Sequence, residues 1–194
     1  TGTAIMLSST ARKAAQREIA AQFDAYRKTG LPLGHLDGHW HCHQHPAVLA
    51  MALREGKPLG LRAVRIPFEP YGFSSKVGAS GRGLERVLHV ASHFPLAWSM
   101  RIQARANGVR VNDRFFGKTD AGFINEDTLL RLANNLAPGV TEVGLHPSTA
   151  PNKGPHAPPA DWRPESELAA LTSPAVAEAV QRAGGQLCRW ADLP

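Results

Sequence analysis

The chain has 194 residues, of which 43% are apolar, and a formal net charge of +6. This suits one domain with a core of its own, and no apolar run is long enough to span a bilayer. The basic residues are dispersed and form no nucleic-acid tail or recognisable module, so nucleic acid is not an expected partner, while contact with an anionic membrane surface stays open.

Residues 8–29 read as a helix, with Ser8, Ser9 or Thr10 as cap and Ala14, Ile19, Ala20, Phe23 and Tyr26 as its apolar stripe. Residues 31–37 suit a short buried strand. Pro46 opens a second helix that Gly56 stops, because proline at a first helical position sacrifices no hydrogen bond. A strand is expected over 59–67, and a Gly-, Ser- and Pro-rich loop over 69–83. Residues 84–107 read as mostly helical, broken near Pro95. A short strand follows at 109–111. Asn125 caps a helix over 126–135, with Glu126 and Asp127 in the first turn, where the helix dipole favours them. A strand over 140–145, a Pro/Gly-rich loop over 148–159, helices over 164–171 and 174–183, and a last strand over 186–190 complete the chain.

Strands alternate with helices and no hairpin appears, which predicts an α/β fold with a parallel sheet and a single domain over 1–194. In such sheets ligands gather at the carboxyl ends of strands. The chemically capable residues follow strands: the histidines after the first, Arg65 and Glu69 after the second, Asp113 after the third, and His146 after the fourth.

The segment His35-Leu-Asp-Gly-His-Trp-His-Cys-His-Gln-His-Pro46 holds five of the nine histidines. Neutral imidazole is the commonest protein metal ligand, and carboxylate and thiolate are others. His39, His41 and His43 alternate, as does Asp37, so an extended segment would aim them to one side. Together they suggest a metal-assisted hydrolase, in which the ion polarises a carbonyl and acidifies a bound water. This cluster supplies one or two ligands, and others must come from elsewhere. Asp37 could ligate or orient a ring. His146 could donate a proton to a leaving amine or stabilise an oxyanion, or simply cap a strand. Arg62 and Arg65 could hold substrate oxygens or form ion pairs with Glu69 or Asp113. No phosphate-binding loop, G-x-S-x-G elbow, H-E-x-x-H or Cys-x-x-Cys is present, so Cys42 and Cys188 read as buried apolar residues. Two cysteines are too few for a disulfide framework, and the first residues do not read as a signal peptide. The expected location is therefore cytoplasmic, at the inner face of the membrane if the substrate is a lipid.

HLDGHWHCHQHP resembles the HLDSHHHVHxxP signature of the YdjC/ChbG-like carbohydrate deacetylases. LRAVRIPFEP, NDRFFG, TEVGLHPS and ESELAALTSPAVAEAVQRAGGQL follow in the family's order, from about residue 10 to the end. The wording is most similar to the branch associated with hopanoid biosynthesis. The resemblance implies an incomplete or distorted (β/α) barrel with parallel strands, related to the polysaccharide deacetylases. It implies a divalent metal, Mg or Zn, and hydrolysis of an N-acetyl group from an acetylated amino sugar, in that branch an N-acetylglucosaminyl hopanoid lipid. By resemblance His39 matches a metal ligand and His146 the active-site histidine of the HPG-like motif. Asp37, His41 and His43, with Arg65 and Asp113, are expected to orient those groups or contact substrate. The sequence has Trp40 where the family commonly has histidine, and Pro147-Ser148 where Pro-Gly is usual.

The family's Asp-Asp-Phe-Gly strand end and Gly-x-His segment have no counterpart in these residues. The expectation is a chain resembling the C-terminal two-thirds of a deacetylase. The competing expectations are a metal- or sugar-binding module without catalysis, and a peripheral membrane protein that lays residues 84–105 on lipid. A barrel helix packed on its sheet is the preferred explanation of the latter residues, and a homodimer is left open.

Overall fold

A computed structural model of the chain describes residue 5, residues 8–149 and residues 159–193. The described residues fall into two compact units. One comprises those of Thr1–Pro67, Phe94–Asn112 and Cys188–Pro194, the other those of Phe68–His93 and Asp113–Leu187.

In the first unit, helix α1 (Ser9–Arg27) is capped by the Ser8 hydroxyl, which accepts from Ala11 N–H at 3.2 Å. Helix α2 (Pro46–Gly56) buries Val48, Leu49, Met51, Ala52 and Leu53. α1 packs on α2, and Gly56 admits the Phe23 ring and Leu61, since an added Cβ would lie 3.0 and 2.8 Å from them. Three two-residue strands, β1 (His35–Leu36), β2 (Ala63–Val64) and β3 (Arg110–Val111), form a parallel sheet with β2 central. Ala63, Val64 and Ile66 are fully buried, as a central parallel strand requires. The sheet is prolonged by a side chain. Buried Asn112 accepts from Ile66 N–H at 2.7 Å and donates to Ile66 C=O at 3.0 Å, substituting for another rung of the ladder.

In the second unit, β4 (Arg114–Phe116) pairs in parallel with β5 (Thr141–Val143). Around them lie α3 (Tyr71–Val77), α5 (Glu126–Asn134), α6 (Pro164–Leu171) and α7 (Pro174–Arg182), with α5 packed against each of the other three. Val77, Phe116, Ile124, Leu129, Leu132 and Ala170 form its core. Gly117 has φ +109° and an added Cβ would stand 2.1 Å from Gly144 O, so only glycine lets the chain leave β4 beside β5. Helix α4 (Gly83–Ala106) contributes residues 83–93 to this unit and 94–106 to the first.

The α/β class with parallel strands is as expected, and the described strands form two open sheets rather than a closed one. Four local expectations are corrected. The 69–83 segment contains α3, because burial of Ser74 and Val77 outweighs the weak propensity of its glycine and serines. α4 runs through Pro95 without a break. Ala91 and Pro95 are both exposed, so water can satisfy the carbonyl that proline cannot. The consecutive buried aromatics Phe115 and Phe116 belong to a strand of their own. Finally, residues 186–189 find no ladder partner, Leu187 is 91% exposed, and the segment ends in a 3-10 turn (Trp190–Asp192) rather than a strand. The 148–159 loop lies largely outside the described residues.

Candidate active site

The histidine-rich segment leaves β1 and turns at once. Residues His39–Gln44 form a 3-10 turn in which Trp40 and His41 hold left-handed backbone, φ 52° and 53°. The segment is therefore not extended, and the alternation of His39, His41 and His43 does not aim them to one side. The turn is closed by His41 N–H to Gly38 O at 2.7 Å, by His45 N–H to Cys42 O at 3.1 Å, and by the His43 ring. Gly38 is needed for that closure, since an added Cβ would lie 2.8 Å from His43 Nδ1. Cys42 and Cys188 are exposed, correcting their reading as buried apolar residues.

His43 is 1% exposed. Its Nδ1 accepts from Gly38 N–H at 3.0 Å, so Nε2 carries the proton and donates to Arg65 C=O at 2.8 Å. Burial pushes its pKa down, against the pull of the Arg65 carbonyl and Asp37. It is a neutral ring with both nitrogens engaged. Asp37 forms an ion pair with the Arg65 guanidinium, and its Oδ1 lies 3.7 Å from His41 Nδ1 and 3.8 Å from His43 Nε2. Burial raises the Asp37 carboxyl, but the nearby His41 ring and the charge of Arg65 outweigh it and hold the group below the usual carboxylate range. Thus Asp37, His41, His43 and Arg65 come together. His39 is exposed, its ring meeting the edge of the 80%-exposed Trp40 at 5.7 Å.

His146 and Asp113 belong to the second unit. The His146 ring is exposed and tilted over Trp162, with centroids 4.7 Å apart. Its backbone N–H donates to Glu167, a fully buried carboxylate that also accepts from Gly122 N–H at 2.8 Å. Gly122, φ +80°, leaves room for Trp162, whose ring an added Cβ would meet at 2.2 Å. Glu167 thereby fixes the loop that presents His146. Sequence reasoning missed it among Glu165 and Glu167, although only Glu167 shares a helix face with buried Ala170. Asp113 accepts from Val140 N–H at 2.7 Å and closes the turn into β5.

Glu69 is also structural. Fully buried, it accepts from Gly117 N–H at 2.7 Å, from Lys118 N–H, from Thr119 N–H at 3.2 Å and from the Thr119 hydroxyl at 2.6 Å. Beside it, burial pushes the Lys118 ammonium down to about 8, against the pull of Glu69. The pH dependence follows. Below about 8 both folded and unfolded states carry the charge and its burial cost is felt in full. Between there and the ordinary lysine value of about 10.4 the folded state loses its proton first, so stability rises with pH. Urea unfolding at pH 7.5 and 10 should show wild type gaining about 1–2 kcal/mol on Lys118→Met, after allowance for partial exposure. An unchanged difference would refute this.

As to a metal, no group of three His, Cys, Asp or Glu side chains able to hold one occurs among the described residues. His43 has no lone pair to offer, and His45 Nδ1 is occupied by Ala47 N–H. The described residues do not by themselves fit a metal site.

Parallel strands under helices, with a carboxylate–imidazole–guanidinium cluster directly after β1, describe an α/β protein with a strand-end site. The chain belongs to the YdjC-like protein family, whose model matches residues 2–182. A carbohydrate deacetylase of Brevibacillus brevis (strain 47 / JCM 6285 / NBRC 100599) is 44% identical over 39 residues, 20% of this chain and 16% of that one. The crystal structure of a candidate cellobiose-phosphate cleavage protein from Enterococcus faecalis V583 matches with a TM-score of 0.54 at 21% identity. That match covers 88% of this chain and 56% of the other, so the chain spans about half of that protein's length. No helix among the described residues is long and apolar enough to cross a membrane.

Proposed function

We propose that the chain is part of a carbohydrate N-deacetylase that removes the acetyl group from an acetylated amino sugar. The observation that carries this reading is the family match across residues 2–182. The stretch shared with the Brevibacillus brevis carbohydrate deacetylase supports it. In this reading His146, held out on its Glu167-fixed loop, protonates the departing amine. Asp37 and Arg65 fix the turn after β1, and His43 locks it from below. The substrate proposed from the sequence wording is an N-acetylglucosaminyl hopanoid lipid. The proposed cofactor is a divalent ion, Mg or Zn, to which exposed His39 gives one ligand. The described residues do not complete that ion's site. A barrel closed by further strands belongs to the same proposal.

Acetate release from N-acetylglucosamine oligosaccharides and from the hopanoid glycolipid, measured on the full-length protein, tests the reading. His146→Ala should lower kcat by about 10²–10⁴-fold, the range for a positioned general acid. Release undiminished in His146→Ala would remove its role, and no release from any acetylated sugar would defeat the proposal. Calorimetric titration with zinc should show weaker binding in His39→Ala, and equal affinity would dismiss that ligand. A second reading, a sugar-binding module without catalysis, would bind these oligosaccharides and release nothing; among the described residues no group of three side chains able to hold a metal occurs.

A further inference from the structure

From the Phe94–Ile102 face of α4 we infer a docking surface for an anionic lipid bilayer. Phe94, Trp98 and Ile102 stand four residues apart on one side of the helix and are 54%, 60% and 55% exposed. Large apolar side chains in such a row, turned outward, mark a surface with a partner. The chemistry around the row says which. Residues 94–112 contain Arg101, Arg105 and Arg110 and no aspartate or glutamate. Trp98, Ile102 and Val109 line a groove of about 680 Å³ bordered by Arg101, by Arg105, and by Arg110, whose guanidinium also donates to Leu193 O. Aromatic and aliphatic side chains flanked by arginines suit the boundary between headgroups and acyl chains, where the rings enter the apolar layer and the cations meet phosphate.

A second copy of the chain would bring the same positive charge against itself, which costs rather than stabilises. A nucleic acid would leave Ile102 and Phe94 with no apolar layer to enter. Within residues 84–105, Arg86 and Met100 are buried and unavailable to lipid, while Leu84, Val87 and Leu88 are exposed on the part of α4 that belongs to the other unit.

Co-sedimentation with vesicles tests this without reference to the deacetylase reading, since no substrate or turnover is involved. The full-length protein should pellet with phosphatidylcholine vesicles containing about 30% phosphatidylglycerol and at least about tenfold less with phosphatidylcholine alone, as electrostatic attraction to anionic lipid requires. Binding should fall as salt shortens the Debye length. Trp98→Ser/Ile102→Ser, both at exposed sites, should lose at least about tenfold in binding with an unchanged Tm. Arg105→Gln should weaken binding only to the anionic vesicles. Equal binding of wild type and the double variant overturns the inference. So does a concentration-dependent dimer that the same substitutions abolish while wild type ignores vesicles.

Discussion

Glu69→Ala is expected to cost about 3–5 kcal/mol, from several buried donors losing their acceptor at about 1–3 kcal/mol each, less what water returns. Three consecutive backbone N–H groups, of Gly117, Lys118 and Thr119, converge on this one carboxylate. Each buried donor left without an acceptor carries a penalty of about 1–3 kcal/mol, and water entering the space returns part of it. Alanine also vacates the acceptor of the Thr119 hydroxyl. The loop involved is the exit from β4, so its loss loosens the sheet of the second unit. Urea midpoints give the cost directly, against a typical total of about 5–15 kcal/mol. Glu69→Gln retains one acceptor oxygen but turns an NH₂ toward donors, and should fall between wild type and alanine. A cost below about 1 kcal/mol for Glu69→Ala, the worth of an ordinary hydrogen bond, would show that the loop is held by something else.

Arg86→Met should be of similar size, about 3–5 kcal/mol, for a different reason. Arg86 and Asp120 are each 2% exposed at the side chain and pair at 2.6 Å. Arg86 also donates through Nε to Ser74 O at 3.0 Å, and Asp120 accepts from Ala79 N–H at the same distance. Methionine fills much of the volume but abandons a buried carboxylate. The cost is that of the orphaned charge, not the net worth of the pair. The double variant Arg86→Met/Asp120→Asn removes the charge and keeps an acceptor for Ala79, so it should recover at least half of the loss. A double variant no better than Arg86→Met would mean that packing, not charge, governs the site.

Helices with strong punctuation were legible in the sequence: Ser8, Pro46 and Asn125 begin helices where their chemistry places them. The family motif was legible too. What escaped was set by tertiary contact. α3 is made of weak helix formers and exists because its apolar side is covered. The geometry of His39–Gln44 could not be read from alternation, since left-handed backbone at Trp40 and His41 depends on the His43 ring docking under Gly38 and against Arg65. Nor could the roles of the carboxylates. Glu69 and Glu167 are as acidic on paper as any surface glutamate, and only burial among backbone donors distinguishes them.

The Asn112 clamp has an evolutionary consequence. Asn112 is bonded to Ile66, two residues past β2, and its neighbour Asp113 to Val140 at the entrance of β5. Both residues of the step from β3 to β4 are thus committed, each to its own sheet. Strand periodicity permits no slippage by one residue without turning every following side chain over. Homologues should therefore show neither insertions nor deletions between Val111 and Arg114.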